Sequence, residues 1–327
     1  MIKIVKFEYR HLRRCLAQSP AALQLGSFGN SNHSQQRRQF SQGFWSSVSS
    51  SRPVTIVQEA ITQLHDTTGM PWWSTIIVST VLLRGVITFP LAIYQSKIMA
   101  KVEKLTEEMP ALVAELKGEA AFAMKKYRWT EQQTRVTYNR SLKKQWNNLI
   151  VRDNCHPAKS TIVLLFQIPL WITQSWAIRN LIYMQPDPTA LKAQLVAAEM
   201  MLGGFGWIPN LAEVDHSLIL PVTLGLLNLT IIEIQSMSKK VPVNSKIQKY
   251  ATNFFRCFSV AMIPIAAYVP SGLCLYWVTS SAFGLVQNLL ILSPKLKRLT
   301  NIPKVKSELE KPYSFLVDKT IKRLGRK

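Results

Sequence analysis

Arg84 is the residue whose setting asks for chemistry first. It is the ninth of the 19 residues from Ile76 to Tyr94 and the only charge among them, in a stretch close to the length that crosses a hydrocarbon core of about 30 Å. Inserting a guanidinium at that depth costs at least about 2.5 to 3.5 kcal/mol, and ionisable groups held there mark sites of function. Thr80 and Thr88 lie one turn to either side on the same helical face. Gln167 and Gln174, then Asn228 and Gln235, then Ser280, Ser281, Gln287 and Asn288 keep to one face in three further apolar segments. Polar stripes converging on an arginine would make a hydrated concavity inside a bilayer, able to hold a charge that lipid cannot. The competing arrangement is an ion pair with Glu233, which stands near the end of its segment while Arg84 is central in its own. The expected site is Arg84 with Thr80, Thr88, Gln167, Gln174, Asn228, Ser280, Ser281 and Gln287.

Other chemistries find no support in the residues. Cys15, Cys155, Cys257 and Cys274 are far apart and form no Cys/His ligand spacing, which argues for free thiols and no metal. Cys155 and His156 are adjacent, but a zinc site takes about four ligands and no others lie near. No Gly-rich phosphate loop, nucleophile elbow or paired carboxylates occur, so neither a cofactor nor an enzyme activity is expected. The net charge of +22, from 40 basic and 18 acidic residues, would suit a nucleic-acid partner in a soluble fold. Its aromatic residues do not interleave with basic ones as a nucleic-acid groove requires, and the placement of the charge gives a different answer.

The elements that must position Arg84 are apolar blocks separated by charged ones. Spans are expected over about 73–94, 160–178, 218–236, 253–268 and 272–292, the last two divided by the turn signal Val269-Pro270-Ser271-Gly272. Residues 95–157 carry twelve basic side chains, whereas 181–217 carry Lys192 alone against Asp187, Glu199, Glu213 and Asp215. Residues 235–256 are basic again without an acid, and the tail beyond Ser293 holds eleven basic residues and three acids. Retained loops collect Lys and Arg, so these segments alternate across the bilayer, and five crossings rather than four return the basic tail to the same side as the other basic loops. The fold class expected is therefore all-α: a polytopic membrane protein with five transmembrane helices and a helical hairpin over 95–152 between the first two. Ile98, Val102, Leu105, Met109, Leu112 and Leu116 give that hairpin a seam of fours and threes with Pro110 as a kink. Thr130 and Gln133 propose a capping box for its second helix, whose apolar face is Tyr138, Leu142, Trp146 and Leu149.

Residues 1–51 carry Lys3, Lys6, Arg10, Arg13, Arg14, Arg37 and Arg38 against the single acid Glu8, with Ile2, Val5, Tyr9, Leu12 and Leu16 on one helical face. That is the composition of a mitochondrial presequence, and Arg38-Gln39-Phe40-Ser41 suggests processing after Phe40. The division expected is a presequence and arm over 1–51, a membrane core over 52–292 and a basic tail over 293–327 in the matrix, with the mature N-terminus in the intermembrane space.

Several short motifs, in this order, resemble the YidC and mitochondrial oxidase-assembly insertase family. They are Thr80-Val-Leu-Leu-Arg84 with Phe89-Pro90-Leu91, Phe166-Gln167-Ile168-Pro169-Leu170, Trp207-Ile208-Pro209-Asn210-Leu211, Met262-Ile263-Pro264, Pro270-Ser271-Gly272-Leu273, Leu275-Tyr276-Trp277 and Gln287-Asn288. Arg152-Asp153-Asn154-Cys155-His156-Pro157 and the short tail are similar to its oxidase-assembly branch. The resemblance implies a groove open to the matrix and to lipid, in which Arg84 receives polar or acidic parts of a client, with no ATP and no covalent step. It further implies client membrane proteins, above all the C-terminal domain of cytochrome c oxidase subunit 2, and oxidase assembly factors as partners. The sister branch carries a longer basic tail tied to ribosome docking, whereas the tail here is 35 residues (293–327), so ribosome binding is not expected to carry over. A secondary transporter or channel could use the same cavity, but shows internal repeats that this chain lacks; a scaffold that assembles without translocating is the third reading.

Overall fold

A computed structural model describes residues 47–238 and 246–325. The presequence, its processing after Phe40, and Lys239 and Lys240 of the basic loop all fall outside the described residues, apart from the last few residues of the 1–51 segment. Among the described residues the elements are helical: α1 (Arg52–Thr68), α2 (Trp72–Leu83), α3 (Phe89–Tyr127), α4 (Glu131–Arg152), α5 (Ile162–Ile182), α6 (Leu191–Leu202), α7 (Ile219–Met237), α8 (Lys246–Ala267), α9 (Ser271–Leu292), α10 (Pro294–Leu299) and α11 (Pro312–Leu324). A π-helical turn, Arg84–Thr88, joins α2 to α3 without a break.

Four helices are long and apolar enough to cross a membrane: Trp72–Tyr127 (α2 through α3), Ile162–Ile182 (α5), Ile219–Met237 (α7) and Ser271–Leu292 (α9). These match four of the five expected spans. The fifth, α8, begins amid Lys246, Lys249 and Arg256 and is not among the four. It packs against α7 in the opposite direction: a Cβ at Gly225 would meet Ile263, and Glu233 pairs with Arg256 at 2.6 Å. Glycine at 225 is what permits that approach, because Ile263 Cγ1 would stand 2.5 Å from any Cβ there.

The core is concentrated at the end of the bundle that carries α6. Trp72 and Ile76 of α2, Ala177, Ile178 and Leu181 of α5, Met200 of α6, Leu211 of the following loop and Leu273 to Trp277 of α9 form one buried cluster. α1 is amphipathic and lays Val54 and Ile61 into it. It ends on Gly69, whose φ of 63° and backbone bond to His65 O make the left-handed stop after which Pro71 starts α2. Neither α1 nor α6 was expected from the apolar blocks, since α1 is more than half polar and α6, though largely apolar, is only 12 residues long. The backbone of the 203–218 loop is tied to the start of α9, with Ser271 N donating to Glu213 O and Gly272 N to Leu211 O.

At the opposite end α3 and α4 lie against each other. Leu105, Ile150 and Cys155 form a small closed cluster with Val102, Trp146 and Leu149 around it, drawn from the expected seam. The Thr130 capping box is present in both directions, and α3 continues through Pro110 to Tyr127. The tail is folded rather than loose: Ser307 N donates to Glu103 Oε1 and Lys306 pairs with Glu107, so it straps the base of α3.

Candidate functional site

Arg84 sits where helix geometry is locally widened. Pro90 has no N–H to give Val86, so the regular ladder would be broken one turn after Arg84. The chain instead makes a π turn in which Phe89 N and the Thr88 hydroxyl both bond Arg84 O, the latter at 2.8 Å. Such bulges within α-helices cluster at functional sites. The turn sends Arg84 and Thr88 inward while Val86 faces outward at 72 % exposure. Sequence periodicity gave the face correctly but not the widened turn, for which Gly85 and Pro90 were the available signals.

The guanidinium is covered, at 9 % residue exposure. Its tip lies at the seam between α7 and α9: a Cβ on Gly284 would stand 3.7 Å from Arg84 Nη1 and 3.8 Å from Ile231 Cδ1. Tyr276, buried two turns earlier on α9, is close enough to interact with it electrostatically. Among the described residues no carboxylate lies within 4.0 Å of Arg84. Glu233, the alternative partner, holds Arg256 instead, with Arg256 Nε also donating to it at 2.7 Å.

The other expected residues divide into ties between helices and groups left without one. Gln174 Nε2 donates to Thr80 Oγ1 at 3.0 Å, joining α5 to α2, and Thr80 in turn donates to Ile76 O. Ser281 donates to Asn228 Oδ1 at 2.9 Å, and Gln235 to Asn288 Oδ1 at 3.3 Å, joining α7 to α9. Ser280 is buried beside Tyr276, which also lies near Ser175. Gln287 Oε1 is buried with no protein partner, one turn beyond Gly284 on the face that approaches Arg84. Gln167 is half-buried on α5, two turns nearer the α4 end than Gln174. The polar stripes therefore meet, and in doing so pair largely with one another. Arg84 and Gln287 supply donors and an acceptor that the paired residues do not satisfy. Tyr276 and Gly284 were not expected as part of the site; a glycine inside an apolar span was the signal, since it lets another chain approach closely.

Burial changes across this site. In α9 it is continuous from Ser271 to Trp277 and ends at Ser280; in α5 it runs from Gln174 to Ile182, while Leu164, Leu165, Phe166 and Ile168 are exposed. Arg84 thus stands at the boundary between a sealed half of the bundle and a sparse one.

His156, the neighbour of Cys155, is committed to a local cap, its Nδ1 accepting from Ala158 N at 3.1 Å. Burial pushes the Cys155 thiol above its ordinary range. Arg152, which binds Glu108 and Asp153, is raised by those bonds, and its bond holds the Asp153 carboxyl below the usual carboxylate range.

Known proteins resemble most of the chain. A sequence model of the family described as 60Kd inner membrane protein matches residues 63–298. The chain is 43 % identical over 274 residues to the mitochondrial cytochrome c oxidase assembly protein COX18 of Mus musculus, covering 84 % of this chain and 81 % of that protein. It is 41 % identical over 271 residues to the Homo sapiens protein of the same name, covering 83 % and 80 %. A more distant similarity, 26 % over 253 residues, links it to the mitochondrial inner membrane protein OXA1 of Arabidopsis thaliana, with 77 % of this chain and 52 % of that one aligned. With the matched region running from α1 to α10 and enclosing Arg84 and its neighbours, the chain belongs to the 60Kd inner membrane protein family, the family of YidC and the oxidase-assembly insertases.

Proposed function

We propose that this protein is an insertase of the mitochondrial inner membrane, which moves polar or acidic segments of client proteins from matrix to intermembrane space past Arg84 and supports assembly of cytochrome c oxidase. The observation that carries the reading is a buried, permanently charged guanidinium without a carboxylate partner among the described residues, at the seam of two apolar helices. An unpaired charge in that position is costly, and it persists in a fold only where polar groups from water or from a client can reach it. The sparse half of the bundle beside Arg84 supports an opening on the α4 side, and the basic loops support that side as the matrix side. The hydrophilic groove would be lined by Thr80, Thr88, Gln167, Gln174, Asn228, Ser280, Ser281 and Gln287 around Arg84. Entry of a client would exchange some interhelical ties, Ser281 to Asn228 first, for bonds to the client.

Five crossings are part of the reading. The antiparallel run of α8 along α7 supports a fifth span, with Arg256 held by Glu233 rather than facing lipid alone. The mature N-terminus then lies in the intermembrane space, α3 and α4 form a matrix hairpin, and the tail is in the matrix. The similarity to cytochrome c oxidase assembly proteins supports a client within cytochrome c oxidase and oxidase assembly factors as partners; the C-terminal domain of subunit 2 is the client that the resemblance to the oxidase-assembly branch implies. Protease protection in mitoplasts tests this. With the protein present the subunit 2 tail should become accessible from outside, and without it the tail should stay protected; export that proceeds equally in its absence would overturn the proposal.

A further inference from the structure

α11 offers an apolar row that the bundle leaves uncovered. Its Tyr313, Val317 and Ile321, spaced four apart and so on one line of the helix, are 48 %, 57 % and 61 % exposed. On one side of this row Leu316 is buried and Thr320 reaches Met237 Sδ, so that edge faces the bundle. On the other side stand Ser314, Asp318 and Lys322, all exposed. The apolar surface of α11 is thus wider than the strip the protein covers, and the surplus points sideways, between protein and solvent.

The anchoring contacts say at what level it points. Tyr313 Oη donates to Leu289 O at 3.1 Å, one turn before the end of α9, and Lys319 Nζ donates to Met237 O at 2.9 Å, at the last residue of α7. The helix therefore lies across the ends of α7 and α9, two of the helices long and apolar enough to cross a membrane. On α9, Val286 and Leu290 are exposed as well. Lys311 precedes the helix and Lys322 rides its polar edge, both exposed.

We infer that α11 is an interfacial helix, with Tyr313, Val317 and Ile321 seated in the bilayer surface at the ends of α7 and α9 and with Lys311 and Lys322 on anionic headgroups. An amphipathic helix of this build binds by buried apolar area together with attraction to anionic lipid. A second copy or a soluble protein would need no match to the level of the span ends, whereas the membrane supplies both the level and the charge. The inference requires only that α7 and α9 cross the bilayer and is independent of which client is moved.

The test uses the full-length protein in nanodiscs, with Cys15 and Cys257 replaced by Ser and single labels placed at Val317→Cys, Ile321→Cys or Asp318→Cys. Labels at 317 and 321 should be quenched by doxyl lipids, and should be about five-fold less sensitive to an aqueous quencher than the label at 318. The lipid quenching should strengthen when about one fifth of the phosphatidylcholine is replaced by cardiolipin. Equal aqueous access at 317 and 318 would overturn the inference by placing the helix in solvent. Shielding of 317 and 321 from both quenchers would overturn it equally, by showing that protein covers the row.

Discussion

Gly284 separates the geometry around Arg84 from the stability of the bundle. An alanine there puts its Cβ 3.7 Å from Arg84 Nη1 and 3.8 Å from Ile231 Cδ1, both ordinary contacts. In mid-helix the same change gains about 0.8 to 1 kcal/mol of helix propensity, so Gly284→Ala should accumulate at least as well as the wild type and export normally. Gly284→Leu adds three further carbons to that seam, where the nearest neighbours are the guanidinium tip and Ile231. Overpacking of this kind costs about 1 to 3 kcal/mol, partly offset by the helix gain, which leaves a net loss of about 0 to 2 kcal/mol. The fold should survive while the guanidinium is pushed off the seam between α7 and α9. Steady-state protein measured by immunoblot, with subunit 2 tail exposure measured in the same mitoplasts, gives the two readouts. A Leu variant that accumulates normally and exports at the wild-type rate would refute the placement of Arg84 on the client's path.

Three further outcomes follow from the same contacts. Gly225→Ala drives a Cβ to 2.5 Å from Ile263 Cγ1, so it should destabilise the detergent-purified protein by about 1 to 3 kcal/mol, and Ile263→Ala should recover part of the loss in a double-mutant cycle; additive losses would place α8 elsewhere. Leu105 is fully buried against Ile150 and Cys155, so Leu105→Ala should cost about 2 to 5 kcal/mol at that cluster and raise maleimide labelling of Cys155, whose thiol is otherwise covered. Asp153 is depressed first by its bond to Arg152. Its contribution is therefore present above the unfolded carboxylate pKa of about 3.9 and is lost as pH falls through the lower folded value. Hydrogen exchange at the base of α3 and α4 should rise below that range in the wild type and lose this pH dependence in Asp153→Asn.

What could be read in advance follows from the length of each signal. Spans are long uncharged blocks, and four of them stand where the sequence put them, with Val269-Pro270 and Gly272 marking the turn before α9. The capping box at Thr130 is local chemistry and was readable residue by residue. α1 and α6 were not, because a short amphipathic helix such as Arg52–Thr68 shows its purpose only when Leu181 and Ile182 are there to receive Val54 and Ile61. The structured tail was hidden for the same reason: Ser307 and Lys306 find Glu103 and Glu107 some two hundred residues away. At the site, the faces of Thr80, Gln174, Asn228 and Ser281 followed from helical period. Their pairing did not, since which polar stripes meet depends on helix rotation and tilt that no single segment encodes. The π turn at Arg84 combines both cases, signalled by Gly85 and Pro90 but resolved only by packing.

The central claim is that the charge of Arg84, and not merely its bulk, acts on the client. The direct measurement compares Arg84→Lys with Arg84→Glu for export of an acidic subunit 2 tail in mitoplasts, normalised to the amount of each variant in the membrane. Substantial export by the lysine variant and little by the glutamate variant is the predicted result. Equal export by the two at equal protein levels would contradict it.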